Sequence, residues 1–153
     1  MTKHPWLRRA TFLSMIAALG MAASAAKNLR SKPQFEYVGG TDTMRERCQG
    51  KLALTETAII FECPEGRVTA PFDSITRMEY RSKISRQVRR MKLHWALKPP
   101  SGGGKHNRLF TVVYRADGRL HAMVLKVSPD AMRPYLAELD LRVGHRVDVE
   151  RFY

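Results

Sequence analysis

Ten Lys or Arg side chains and no Asp or Glu lie between Tyr80 and Ala116. Six of them crowd into the start of that stretch: Arg81, Lys83, Arg86, Arg89, Arg90 and Lys92. A guanidinium is a planar fork of N–H donors, and several held close together grip phosphate or carboxylate through paired hydrogen bonds. Ile84, Val88 and Met91 fall at helical spacing, and in a helix Arg86, Arg89 and Arg90 share one face, because offsets of three and four residues set side chains side by side. The chemistry on offer is anion recognition. The plainer alternative is a solvated loop whose apolar residues fold back on the domain.

Other chemistries fail on spacing. Ser101-Gly102-Gly103-Gly104-Lys105 has the look of a phosphate loop, but that motif needs a glycine where Pro99 stands and a Ser or Thr where His106 stands. His94, His106 and His121 fall on three segments without paired ligand spacing, so no metal site is expected. No Ser, Cys or Asp occupies a nucleophile motif. The expectation is a protein that is not an enzyme, with no catalytic residue, no cofactor and no small-molecule substrate. Nucleic acid is disfavoured as a partner, since aromatic residues are not interleaved with the basic run as a stacking platform requires.

Charge bears on the partner, and the N-terminus on the location. The 153-residue chain has a formal charge of +13, a field that favours anionic partners or surfaces. Lys3, Arg8 and Arg9 form a basic head, Ala10 to Ala22 is mostly apolar, and Ala23-Ser24-Ala25 supplies small residues for cleavage before Ala26. Residues 1–25 therefore read as an export signal or, uncleaved, as a short membrane anchor. The expected location is the periplasm or cell envelope. Arg8-Arg9 is not followed by the apolar residue that a twin-arginine signal requires, because Thr11 stands there.

The elements that must carry the basic run are short and extended. Residues 26–45 read as a linker, with one extended piece at Phe35-Glu36-Tyr37-Val38 and a Gly39-Gly40 pair that interrupts any period. Seven strands are predicted at 51–55, 58–62, 67–70, 75–81, 92–98, 108–115 and 119–127. The fifth follows from the alternation of Leu93, Trp95 and Leu97. Residues 99–107, with two prolines and three glycines, read as a flexible loop. Asp117-Gly118 is the strongest hairpin signal, and its register sets Tyr114 against His121, Val112 against Met123 and Phe110 against Leu125. Ser128, Pro129 and Asp130 begin a helix whose stripe is Met132, Tyr135, Leu136, Leu139 and Val143 and whose stop is Gly144. Pro134 suggests that its regular part starts there, after one loose turn. Residues 144–153 read as a polar tail with an extended piece around Val147 and Val149.

Cys48 and Cys63 are the only cysteines. An even count in an oxidising compartment allows one bridge. Yet if Leu52 and Leu54 face the same core as Phe61 and Ile59, position 48 lies opposite 65, and a diagonal pair is too far for a disulfide unless the strand is distorted. A bridge and two buried thiols both stand.

Seven antiparallel strands and a final helix resemble the pleckstrin-homology-like superfold, a mainly β split barrel capped by one C-terminal helix. Gly50-Lys51-Leu52-Ala53-Leu54-Thr55-Glu56-Thr57-Ala58-Ile59-Ile60-Phe61 resembles the opening hairpin of its GRAM and bacterial PH-like group. Ala70-Pro71-Phe72-Asp73-Ser74-Ile75-Thr76-Arg77-Met78-Glu79 resembles that group's third-to-fourth strand passage. The resemblance covers residues 46–143 and implies a binding module, since this superfold hosts lipid, peptide and protein recognition. Two departures stand out: the first hairpin loop carries Glu56 where lipid-binding members cluster cations, and the helix lacks the Trp common in eukaryotic members. The expected function is recognition of an anionic lipid surface or an acidic protein through Arg81–Lys92, and the alternative is an envelope assembly module.

Overall fold

The structure, a computed structural model, describes residues 34–150. The signal or anchor reading of residues 1–25 lies outside the described residues, as do residues 26–33 of the proposed linker. Eight strands follow in chain order: β1 (Phe35–Gly40), β2 (Cys48–Leu54), β3 (Ala58–Cys63), β4 (Gly66–Pro71), β5 (Ile75–Arg81), β6 (Arg108–Ala116), β7 (Arg119–Val127) and β8 (Asp148–Val149). A short helix α1 (Arg86–Arg90) lies between β5 and β6, and α2 (Pro129–Val143) follows β7. The strands form one mainly antiparallel sheet in the order β4-β3-β2-β1-β7-β6-β5-β8. It bends on itself without closing into a barrel, because its two edge strands, β4 and β8, do not pair.

The bend lies in β2. Its first residues pair with β1 (Phe35 opposite Gly50, Tyr37 opposite Cys48), and its last with β3 (Leu52 opposite Phe61, Leu54 opposite Ile59). The exchange of partners happens at Gly50, where a Cβ would stand 2.3 Å from the Glu62 carbonyl oxygen. Only glycine allows the backbones to approach so closely. The concave side of the bent sheet holds the larger core, including Tyr37, Phe61, Phe110, Met123 and Leu125. Helix α2 adds buried Met132 and Leu139 to it, and Tyr135 docks edge-on against Phe35 with its hydroxyl donating to the Leu52 carbonyl at 3.1 Å.

The β6–β7 hairpin has the expected register throughout, from Ala116–Arg119 at its tip to Arg108–Val127 at its base. Asp117 and Gly118 both have positive φ, 49° and 71°, the twist that a two-residue hairpin turn needs. Ser128 caps α2 by accepting from the Ala131 N–H at 3.3 Å, and Gly144 ends it in the left-handed region.

Four expectations are corrected. Residues 92–98 run alongside the sheet but do not form a ladder strand, and their one bridge joins Leu97 to Gly40. The seventh long strand is instead Phe35–Gly40, which sat in the proposed linker and lies near the middle of the sheet between β2 and β7. Helix α2 is regular from Pro129, not from Pro134; the carbonyl that Pro134 leaves without its helical donor belongs to solvent-exposed Asp130. The glycine loop is tied down, with Gly103 buried and donating its N–H to the Ser82 carbonyl at 3.0 Å.

Candidate functional site

The convex side of the sheet is also covered, and this determines where the basic residues stand. Strand β6 is buried at every residue from Arg108 to Tyr114, so its side chains find apolar neighbours on both faces. On the convex face Leu109, Val113, Ala122 and Val124 make a second apolar cluster with Ile84 and Val88 of the segment between β5 and β6. Met91, Leu93 and Trp95 lean on the rim of the same cluster. From residue 91 to residue 98 exposure alternates strictly, half-buried at odd positions and exposed at even ones, so the period of two reports contact with the sheet, not membership of it.

Local polar chemistry fixes the start of this connector. Ser85 caps α1, its hydroxyl accepting from the Val88 N–H at 3.1 Å while donating to Glu79 Oε1 at 2.7 Å. Glu79 is 1% exposed and also receives Arg77 Nη1 at 3.3 Å. A buried carboxylate on β5 thus orients the cap, and the cap orients the helix. Gly39 and Gly40 meet the other end of the connector: the Gly40 carbonyl accepts from the N–H groups of Ala96 and Leu97, and a Cβ on Gly39 would stand 3.1 Å from Pro100 Cδ.

With the apolar side chains turned to the sheet, Lys83, Arg86, Arg89, Arg90 and Lys92 are exposed, and none is in an ion pair among the described residues. Arg86, Arg89 and Arg90 fall within the five residues of α1, the offsets that let three guanidiniums act together. Arg89 also lines a cleft of about 710 Å³ beside Pro99 and Pro100, whose charge is mixed because Glu36 and Glu46 share it with Arg47, Lys98 and Lys126. Arg81 differs from its neighbours. Its Nη2 is bound to Asp148 Oδ2 at 2.5 Å, so it belongs to the clasp that holds the C-terminal segment.

Sequence reasoning missed that clasp. Strand β8 runs parallel to β5, with Glu79 opposite Asp148, and the Glu150 N–H donates to the Tyr80 carbonyl at 3.1 Å. Glu150 Oε2 accepts the Ser82 N–H at 2.7 Å, and Arg108 Nη1 donates to the Glu150 carbonyl at 3.2 Å. The hydrogen bond from Ser82, helped by Arg108 and Arg81, holds the Glu150 carboxyl below its ordinary range. A depressed carboxyl stabilises the fold above its unfolded value, and that contribution is lost as pH falls through the folded one. Acidification below the ordinary carboxylate range should therefore release β8 before the core opens. Protection of the Glu150 amide, corrected for intrinsic exchange, is expected to drop while that of Leu125 holds; unchanged protection at Glu150 would refute the clasp.

Two buried phenols are structural donors. Tyr37 and Tyr114 donate to the Asp42 backbone carbonyl (3.3 Å) and carboxylate (3.2 Å). Burial first, then the Asp42 charge, pushes both phenols well above their usual range, so they stay protonated. Among the described residues no three His, Cys, Asp or Glu side chains form a group able to hold a metal ion, and no helix is long and apolar enough to cross a membrane. Cys48 and Cys63 are bonded, with Cα atoms 6.1 Å apart. The register is the expected one; it is the bend at Gly50 that brings the diagonal pair within reach.

The arrangement is that of a mainly β protein, one bent eight-stranded sheet with a C-terminal helix and a basic connector strapped across its convex face. No family model matches this chain, and no curated protein matches it.

Proposed function

We propose that this chain is an exported, non-enzymatic binding module of the PH-like class that docks on anionic membrane surfaces through its connector. The observation that carries the reading is the division of labour along residues 83–92: Ile84 and Val88 are buried against the sheet, while Lys83, Arg86, Arg89, Arg90 and Lys92 face solvent with no carboxylate partner among the described residues. Unneutralised cations on one rigid strip suit a surface of negative headgroups. Each contributes on the order of 1 kcal/mol near such a surface, so five give firm but salt-sensitive binding.

Two further features support the class and the location. Antiparallel strands followed by a C-terminal helix are the element order of the PH-like class, although this sheet stays open. The Cys48–Cys63 bridge persists in an oxidising compartment, which agrees with export.

Replacing Arg86, Arg89 and Arg90 with Ser should abolish binding to vesicles containing phosphatidylglycerol and leave the melting temperature within about 2 °C, since exposed substitutions usually change stability by less than ~0.5 kcal/mol. Wild-type binding should fall steeply between low and moderate salt. Unchanged vesicle binding by the triple variant would remove the proposal. A salt-insensitive dimer in sedimentation would replace it with an assembly module that uses the same strip against protein.

A further inference from the structure

We infer that a second cleft, between the end of the connector and the tip of the β6–β7 hairpin, is a binding site for a phosphate-type dianion. The cleft encloses about 660 Å³, a volume typical of small-ligand sites, and is lined chiefly by Thr41, Lys92, His94, Arg115, Arg119 and His121. Its walls come from three parts of the chain: the residue after β1, the connector, and both arms of the hairpin. No carboxylate lines it. Asp42, the nearest acid in sequence to Thr41, accepts the Tyr114 hydroxyl instead, and Asp117 at the hairpin tip is not part of the lining.

Three cations line one space and repel one another, and none of them is in an ion pair among the described residues. A dianion does. A phosphate monoester carries about −1.5 to −2 near neutral pH and offers three oxygens to the Lys92 ammonium and to Arg115 and Arg119, which by register reach the cleft from opposite faces of the hairpin. A carboxylate brings one charge and two oxygens, and leaves part of this donor set unused.

One wall of the cleft is held in place before any ligand arrives. Thr41 is locked to β7 by its N–H, which donates to the Ala122 carbonyl at 2.9 Å, and by its hydroxyl, which accepts the Ala122 N–H at 3.1 Å. Thr41 Oγ1 also lies 3.2 Å from His121 Nδ1, and the His121 ring stacks on Tyr114 with centroids 5.5 Å apart. A wall ordered in advance adds little to the entropy cost of binding. The site shares only Lys92 with the strip described above, because Arg86, Arg89 and Arg90 do not line it.

Calorimetric titration of the full chain with pyrophosphate tests the site without any membrane. One saturable site is expected, weakened about tenfold or more in Arg115→Gln/Arg119→Gln, since hydrogen bonds to charged groups are lost. Arg86→Gln/Arg89→Gln/Arg90→Gln should keep the wild-type affinity within about threefold, as these residues contribute only at long range. Absence of saturable binding by the wild type, or equal weakening in both variants with unchanged melting curves, would overturn the inference. Vesicles then separate the sources of the phosphate. Preference for phosphatidate over phosphatidylglycerol that disappears in the Arg115/Arg119 variant assigns a lipid headgroup, whereas equal binding to both, with pyrophosphate still bound, assigns a soluble phosphate compound. Loss of the vesicle result alone leaves the pyrophosphate result standing, so failure of the membrane proposal and failure of this site are distinguishable.

Discussion

Val88→Asp should detach the connector from the sheet and cost about 3 kcal/mol or more, because it places an unpaired carboxylate where the side chain is completely enclosed. Val88 sits in α1 and is packed into the convex-face cluster that Leu109, Val113, Ala122 and Val124 build from below. No cation can turn inward to meet the new charge without burying itself: Arg86, Arg89 and Arg90 are exposed, and the buried Glu79 already holds Ser85 and Arg77. The cheapest response is to swing α1 into water and leave the convex face uncovered. The melting temperature should fall by about 10 °C, in line with the entropy of unfolding of a domain of this size. Amide protection should be lost first across Leu109–Val113, and vesicle binding should weaken although no cation has been removed. Val88→Ala separates the two effects: it leaves a small cavity at a cost of about 1–2 kcal/mol and should keep the connector docked and vesicle binding intact. Normal protection of β6 in Val88→Asp would show that the connector is not what covers that face.

Much of this arrangement is written locally in the chain. The β6–β7 register follows from Asp117-Gly118 alone, since a two-residue turn with positive φ leaves no freedom in what faces what. The ends of α2 follow from Ser128 and Gly144. What was not legible has a common cause, namely that a period of two records alternating environments and says nothing about which backbone supplies the hydrogen bonds. Leu93, Trp95 and Leu97 alternate because one side of an extended segment rests on the sheet, and the ladder position expected for them is filled by Phe35–Gly40. That strand shows in the sequence only as the extended piece Phe35–Val38, because its glycines look like a break and are in fact the place where residues 96–100 cross the backbone at close range. Strand β6 carried an unused signal as well. Leu109-Phe110-Thr111-Val112-Val113 is apolar on both faces apart from Thr111, which an antiparallel strand with one wet face has no reason to be. Of the site, the exposure of Arg86, Arg89 and Arg90 was foreseeable from helical spacing. The clustering of Lys92 with Arg115 and Arg119 was not, because it depends on where the connector ends over the hairpin.

Opening the Cys48–Cys63 bridge should lower stability by about 3 kcal/mol, the chain-entropy cost for a loop of some 15 residues. The effect should be uneven across the fold. Cys48 is the residue of β2 paired with Tyr37 of β1, and the bridge ties that end of β2 to the end of β3, across the point where β2 changes partners at Gly50. Without it the bend is held only by the packing of Tyr37, Phe61 and their neighbours, so amides of Phe35–Tyr37 should lose protection while the β6–β7 hairpin keeps its own. The connector rests mainly on that hairpin, so the Arg86/Arg89/Arg90 strip should still bind anionic vesicles below the new melting temperature. The measurement is a thermal melt with and without reductant, on the wild type and on Cys48→Ala/Cys63→Ala. Reductant should lower the wild-type midpoint by about 10 °C and leave the double variant, already low, unchanged. An equal response of both proteins to reductant, or a double variant as stable as the oxidised wild type, would show that the bend in β2 is set by Gly50 and the apolar core alone.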